Sequence, residues 1–273
     1  MCMSLTSCLG ASNLLVPSMP HCTSLAVHTQ QEPTSLLAQI WRADSPSVPN
    51  LRAISLIMRV SALEWVVLPP HPPSSLRRIH VRLPSEWLFE PDGPPLPLVN
   101  EFVLDGDVAA GPAAAPAFPA SFSFLARFPN LTSVTFDALA LQMHHVRALA
   151  AASPALRSLA TTACSLVLGD DMTPVVFPAL ESWTAAASVA AALHAHIDAP
   201  LLTHLALHGG GIVDAPVTVN VARWPSLADL RTYASSPLTV TGASHCAHLT
   251  DVHLFDSGHT LHVLVDRGTS ACT

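Results

Sequence analysis

Pro129-Asn130-Leu131-Thr132-Ser133-Val134-Thr135-Phe136 decides how this chain folds. A proline leads, an apolar residue follows two places on, and further apolar residues stand three and five places after that one. The same phrase returns as Pro49-Asn50-Leu51-Arg52-Ala53-Ile54-Ser55-Leu56 and as Pro200-Leu201-Leu202-Thr203-His204-Leu205-Ala206-Leu207, and opens again at Pro225-Ser226-Leu227. Alternating apolar positions suit a strand buried on one face. Their regular return suits a fold made by stacking, in which each unit buries its core only through its neighbours.

Taking the first apolar residue as marker, the copies are Cys22, Leu51, Leu76, Val99, Leu131, Leu156, Leu180, Leu202, Leu227 and Leu249. Successive markers stand about 22–32 residues apart, a period at which stacked units recur. The position three residues on is apolar in every copy, from Leu25 to Val252. The position five residues on weakens at Thr161, Ala185 and Thr232. Proline precedes the marker by two residues in eight copies, a placement expected of the first residue of a strand.

Spacing and phrase together resemble the leucine-rich repeat family over Pro20 to Phe255. The resemblance implies an α/β solenoid, with a curved parallel sheet on the concave side and irregular short helices and loops on the convex side. The chain departs from the family where asparagine or cysteine usually satisfies turn backbone, eight residues past the marker. Only Cys164 matches there; Ser188, Ser235 and Ser257 are partial substitutes. The irregular array is similar to those following an F-box in ubiquitin-ligase substrate receptors, although no F-box is recognisable. That likeness implies a substrate-receptor-like module in ubiquitin-dependent regulation.

Half of the 273 residues are apolar, and 11% are charged. Ordinary soluble proteins carry roughly 25% charged residues. A surface so poor in charge fits an array meant to be covered. A net charge of −7 with 12 Lys and Arg argues against a nucleic-acid surface. No apolar run is long enough to span a bilayer, which takes roughly 18–20 residues. Met1 to Val16 has no positive n-region, so neither a membrane partner nor a secretory signal is expected. The six scattered cysteines suit reduced thiols in a cytoplasmic or nuclear protein. Asn130-Leu131-Thr132 is formally a glycosylation sequon, but a glycan there would obstruct stacking.

Residues 1–19 read as an irregular lead, 20–255 as one array of about ten repeats with a low-complexity loop near 106–120, and 256–273 as an edge strand and tail. Helical spacing marks Thr34 to Ala43, Leu139 to Ala152 (ended by Pro154) and the alanine-rich Ala185 to Ile197. The shortest marker spacings, Leu180 to Leu202 and Leu227 to Leu249, leave little room for a helix and predict extended or tightly turned crossovers. Neither end shows an evident cap, so the array is expected to be part of a longer design or to be closed by a partner.

Residues two, four and six past each marker alternate out of the core and form the exposed face. Register predicts Arg78 beside Glu101 and Arg82 beside Asp105, as surface ion pairs. The middle copies present small neutral side chains. The last three present His204, Ala206 and His208, then Asp229, Arg231 and Tyr233, then Asp251, His253 and Phe255. Aromatic residues and arginine among ionisable neighbours have the composition of interface anchors. The expected function is therefore non-catalytic binding of a protein partner through His204, His208, Asp229, Arg231, Tyr233, Asp251, His253 and Phe255.

An enzyme is not expected, and no cofactor is implied. Gly209-Gly210-Gly211 lacks the lysine of a P-loop, Asp170-Asp171 reads as a solvated turn, and no GxSxG elbow occurs. The runner-up is a metal-dependent hydrolase built on the clustered histidines His245, His248, His253, His259 and His262, with Cys246. No metal-ligand spacing such as HExxH or CxxC supports it.

Overall fold

The structure, a computed structural model, describes residues 2–7, 21–29, 49–58, 65–66, 73–82, 88–89, 95–106, 122–167, 173–209, 217–233, 238–255 and 261–263. It is an α/β fold dominated by parallel strands, with few helices, and it divides into two compact units: Met1–Leu139 with Ala151–Ser153, and Ala140–Ala150 with Pro154–Thr273.

In the first unit, strands β1 (Cys2–Ser7), β2 (Ser24–Thr29), β3 (Ala53–Met58), β5 (Arg78–Arg82), β7 (Glu101–Asp105) and β8 (Ser133–Asp137) pair in that order, all parallel. The short strands β4 (Trp65–Val66) and β6 (Leu88–Phe89) pair with each other. The register aligns the sequence phrase without a slip: Met3, Leu25, Ile54, Ile79, Phe102 and Val134 form one ladder row. The long Val99 to Leu131 coil adds a 3₁₀ turn, Ser123–Arg127, and fills the core with rings. Phe102 lies 5.6 Å from Phe124 and 5.4 Å from Phe128, and Phe122 lies 5.3 Å from Phe136.

The second unit repeats the scheme with β10 (Ser158–Thr162), β13 (Ser182–Ala186), β15 (His204–His208), β17 (Asp229–Tyr233) and β19 (Asp251–Leu254). Here Leu159, Trp183, Leu205, Leu230 and Val252 share a row. Crossovers carry helices α1 (Met143–Ala152) and α2 (Ala187–Leu193) and short parallel strands: β9 (Ala140–Gln142) with β11 (Ser165–Val167), β12 (Val175–Val176) with β14 (Ile197–Asp198), and β16 (Val217–Asn220) with β18 (Leu238–Thr241) and β20 (Leu261–Val263). His145, in the first turn of α1, is buried, and its Nδ1 accepts the Gln142 backbone N–H at 3.1 Å, one half of a capping box. Among the described residues no helix is long and apolar enough to cross a membrane.

Burial follows the phrase. Markers Cys22 to Leu227 are at most 1% exposed, and their partners three residues on, Leu25 to Leu230, at most 3%. Each such side chain contributes about 1.5–3 kcal/mol by leaving water. The weak fifth position is compensated at one place: Thr161 Oγ1 accepts the Trp183 indole N–H at 3.3 Å, inside the core.

Several expectations change. Proline does not begin the strand; it sits second in a β-turn that precedes it. Val99, Leu131, Leu180, Leu202 and Leu227 each donate their N–H to the carbonyl three residues back, placing Pro97, Pro129, Pro178, Pro200 and Pro225 at the turn position whose φ proline presets. That turn buries a further residue three before the marker: Leu96, Phe128, Phe177, Ala199, Trp224 and Cys246. The short coil from Leu180 to Leu202 holds helix α2 within the alanine-rich stretch Ala185 to Ile197, whose pattern predicts a helix, so only the expectation from spacing, that so short a coil leaves little room for one, changes. The equally short coil from Leu227 to Leu249 is extended at β18 with one 3₁₀ turn, Ala243–His245, as the spacing predicted. Within 1–19, Cys2–Ser7 is a paired strand. Strand β20 is an edge strand, but of the three-stranded crossover sheet. The helix expected at Thr34 to Ala43 and the body of the low-complexity loop lie outside the described residues.

Polar side chains at the start of the phrase tie consecutive turns together. Ser75, Asn130 and Ser226 donate to the carbonyls of Pro49, Pro97 and Pro200 one coil earlier, at 2.9, 2.8 and 2.7 Å. Thr132, Thr203 and Thr250 bond the preceding coil's backbone one place past its marker. Cys22, Cys164 and Cys246 are buried, and none of the three is in a disulfide.

Candidate functional site

The parallel register sets the eight sequence-derived residues on one face of β15, β17 and β19 and the residue following β19, in three rows. His204, Asp229 and Asp251 form the first row; Ala206, Arg231 and His253 the second. The third is aromatic: His208 stacks on Tyr233 with centroids 4.6 Å apart and planes 14° apart, and Tyr233 stacks on Phe255 at 4.6 Å and 3°. One ring per strand, at the strand spacing, produces this ladder directly. Tyr233 is 36% exposed and Phe255 51%.

Asp229 is placed differently from the rest. It is nearly buried, and its Oδ2 accepts from both Nε and a terminal nitrogen of Arg231 at 2.9 Å. The carboxylate raises the arginine's pKa above its ordinary value, mainly through that hydrogen bond. Asp229 Oδ1 has no hydrogen-bond partner. Asp229 therefore orients Arg231, while the guanidinium stays half exposed beside the rings. His204 bonds Thr203 Oγ1 through Nδ1, and Asp251 accepts from the Thr250 hydroxyl.

A second polar arrangement, on the first unit's sheet, was not anticipated. Arg78 pairs with Glu101 at 3.3 Å as the register predicts, but Asp105, although level with Arg82, is held by His80 Nε2 at 2.7 Å. His80 Nδ1 lies 2.9 Å from Ser55 Oγ. The signal was present: Ser55 and His80 occupy the same phrase position in consecutive copies, and Asp105 the next exposed position one copy on. Serine, imidazole and carboxylate in line could activate a nucleophile. The backbone N–H groups of these interior strands lie in the sheet plane and are engaged in its ladders, so they do not themselves supply oxyanion donors. The arrangement fixes the His80 ring. Among the described residues, no three His, Cys, Asp or Glu side chains gather as a metal ion needs.

Comparison with protein families, with curated proteins and with solved structures gives no match for this chain.

Proposed function

We propose that this chain is a leucine-rich-repeat solenoid and a non-catalytic scaffold, which binds a protein partner on its exposed sheet face. The observation that carries the reading is the stacked row His208, Tyr233 and Phe255 beside the half-exposed Arg231. Rings held by their neighbours lose little entropy on binding, and aromatic residues with arginine dominate interface energetics. The unbroken ladder register supports the repeat assignment, because each coil places equivalent residues at one level. The net charge and scarcity of basic residues favour a protein over a nucleic acid.

The test is quantitative affinity capture with the full chain and with the triple variant Arg231→Ala, Tyr233→Ala, His253→Ala, followed by calorimetry with the purified captured protein. Tyr233 and His253 are exposed, but Arg231→Ala leaves the nearly buried Asp229 without its partner, so far-UV circular dichroism and urea midpoints of the variant accompany the binding data. Truncating two or three anchors weakens binding by about 100-fold or more. A partner bound equally by both forms rejects the reading.

A further inference from the structure

Deepening this reading and resting on it, we propose that the outer edge of β19 accepts a parallel strand from a partner protein, with a basic residue level with Asp251, apolar residues level with Val252 and Leu254, and an aromatic residue level with Phe255. Val252 supplies the first observation. It occupies the inward position that is 0–3% exposed in the nine preceding copies, yet it is 41% exposed. The sequence phrase provides an apolar side chain there, and among the described residues no further strand of this sheet lies beyond it.

Backbone direction supplies the second. Asp251 N–H bonds the Ala228 carbonyl at 3.0 Å, and Phe255 N–H bonds the Thr232 carbonyl at 2.9 Å. A parallel strand sends the N–H and C=O of alternate residues to opposite sides. Those of Val252 and Leu254 therefore point away from β17, at the edge where strand addition occurs.

The rows specify the occupant. The first ends in two carboxylates, Asp229 and Asp251, of which Arg231 engages only the former, so a lysine or arginine complements Asp251. The aromatic row ends on the half-exposed Phe255, where another ring continues the 4.6 Å stack. Val252 calls for an aliphatic neighbour. A second copy fits poorly. Its own strand edge β1 carries Cys2, Ser4 and Thr6 at the corresponding levels, with neither a base nor a ring. A two-fold pairing of β19 with itself would run antiparallel and misalign the rows.

The probe is a fluorescein-labelled peptide containing Lys-Val-Thr-Leu-Phe, titrated against the full chain and followed by anisotropy. Saturable binding is expected, weakened about tenfold or more when the peptide lysine becomes glutamate. Val252→Pro should abolish it, because proline removes an outward N–H and leaves the bonds to β17 in place. N-methylation of the peptide backbone at valine tests the same bonds without altering the protein. No saturable binding overturns the proposal, as does binding indifferent to both peptide changes. So does a concentration-dependent dimer, seen by sedimentation, that Val252→Pro dissolves. Partner capture that needs Arg231, Tyr233 and His253 but tolerates Val252→Pro would sink strand addition and leave the proposed function standing. Peptide binding alongside partner capture insensitive to the triple variant would do the reverse.

Discussion

Trp183 and Trp224 invite one perturbation made twice. Both indoles are fully buried in the second unit, in edge-to-face contact with centroids 5.6 Å apart and planes at 89°. They differ in one bond. Trp183 Nε1 donates to Thr161 Oγ1 at 3.3 Å, whereas Trp224 Nε1 has no acceptor. Replacing either by phenylalanine removes the same atoms, so the burial and cavity cost, about 1–3 kcal/mol, is comparable at both sites. Trp183→Phe also strands the buried Thr161 hydroxyl. That adds about 1–2 kcal/mol. Trp224→Phe deletes a buried donor that made no bond, recovering a similar amount. Trp183→Phe should therefore cost roughly 2–4 kcal/mol more than Trp224→Phe. Urea denaturation followed by far-UV circular dichroism reads the difference as a change of midpoint at constant slope. A cycle with Thr161→Val should return a coupling of about 1 kcal/mol with Trp183→Phe and none with Trp224→Phe. Equal costs for the two tryptophan replacements would refute the argument.

Two further outcomes follow from backbone and burial. Gly242 has φ of +75°, and a Cβ there would meet Asn220 Oδ1 and lie 2.8 Å from the Ala222 backbone nitrogen. Gly242→Ala should therefore destabilise by more than about 1 kcal/mol in the same urea assay. Burial raises the Cys246 thiol pKa above the ordinary value. A raised folded-state value means that its contribution to stability is complete below the unfolded thiol's pKa, about 8.5, and is lost as pH rises through the folded value. Stability should fall as pH rises above about 8.5, with a slope up to about 1.4 kcal/mol per pH unit shallower in Cys246→Ala, as thermal melts over an alkaline pH series can measure.

Much of the main sheets was legible because a period-two apolar phrase needs no knowledge of distant contacts. Leu25, Ile54, Ile79, Phe102 and Val134 stand in one row, as their shared place in the phrase requires. The crossovers were harder. Helix α1 was visible in the spacing of Met143, Val146 and Leu149, all buried, and α2 in the alanine-rich Ala185 to Ile197, although the short coil that holds it pointed the other way. The turn prolines were noticed and given the wrong role, since a turn and a strand's first residue differ only in a hydrogen bond made three residues away. All eight candidate binding residues were named from alternation. Sequence could not show that Asp229 would be nearly buried and committed to Arg231 on its own strand, or that His80 would reach Asp105 although Arg82 lies level with it.

By itself, the sequence determined which side chains face inward and which share a level, because alternation and copy number are properties of a linear pattern. Only the tertiary structure decided which polar groups bond one another, that the prolines belong to turns, and where the described parallel ladder stops with Val252 uncovered. Those outcomes depend on distances across strands, and a small shift or one rotamer changes the partner.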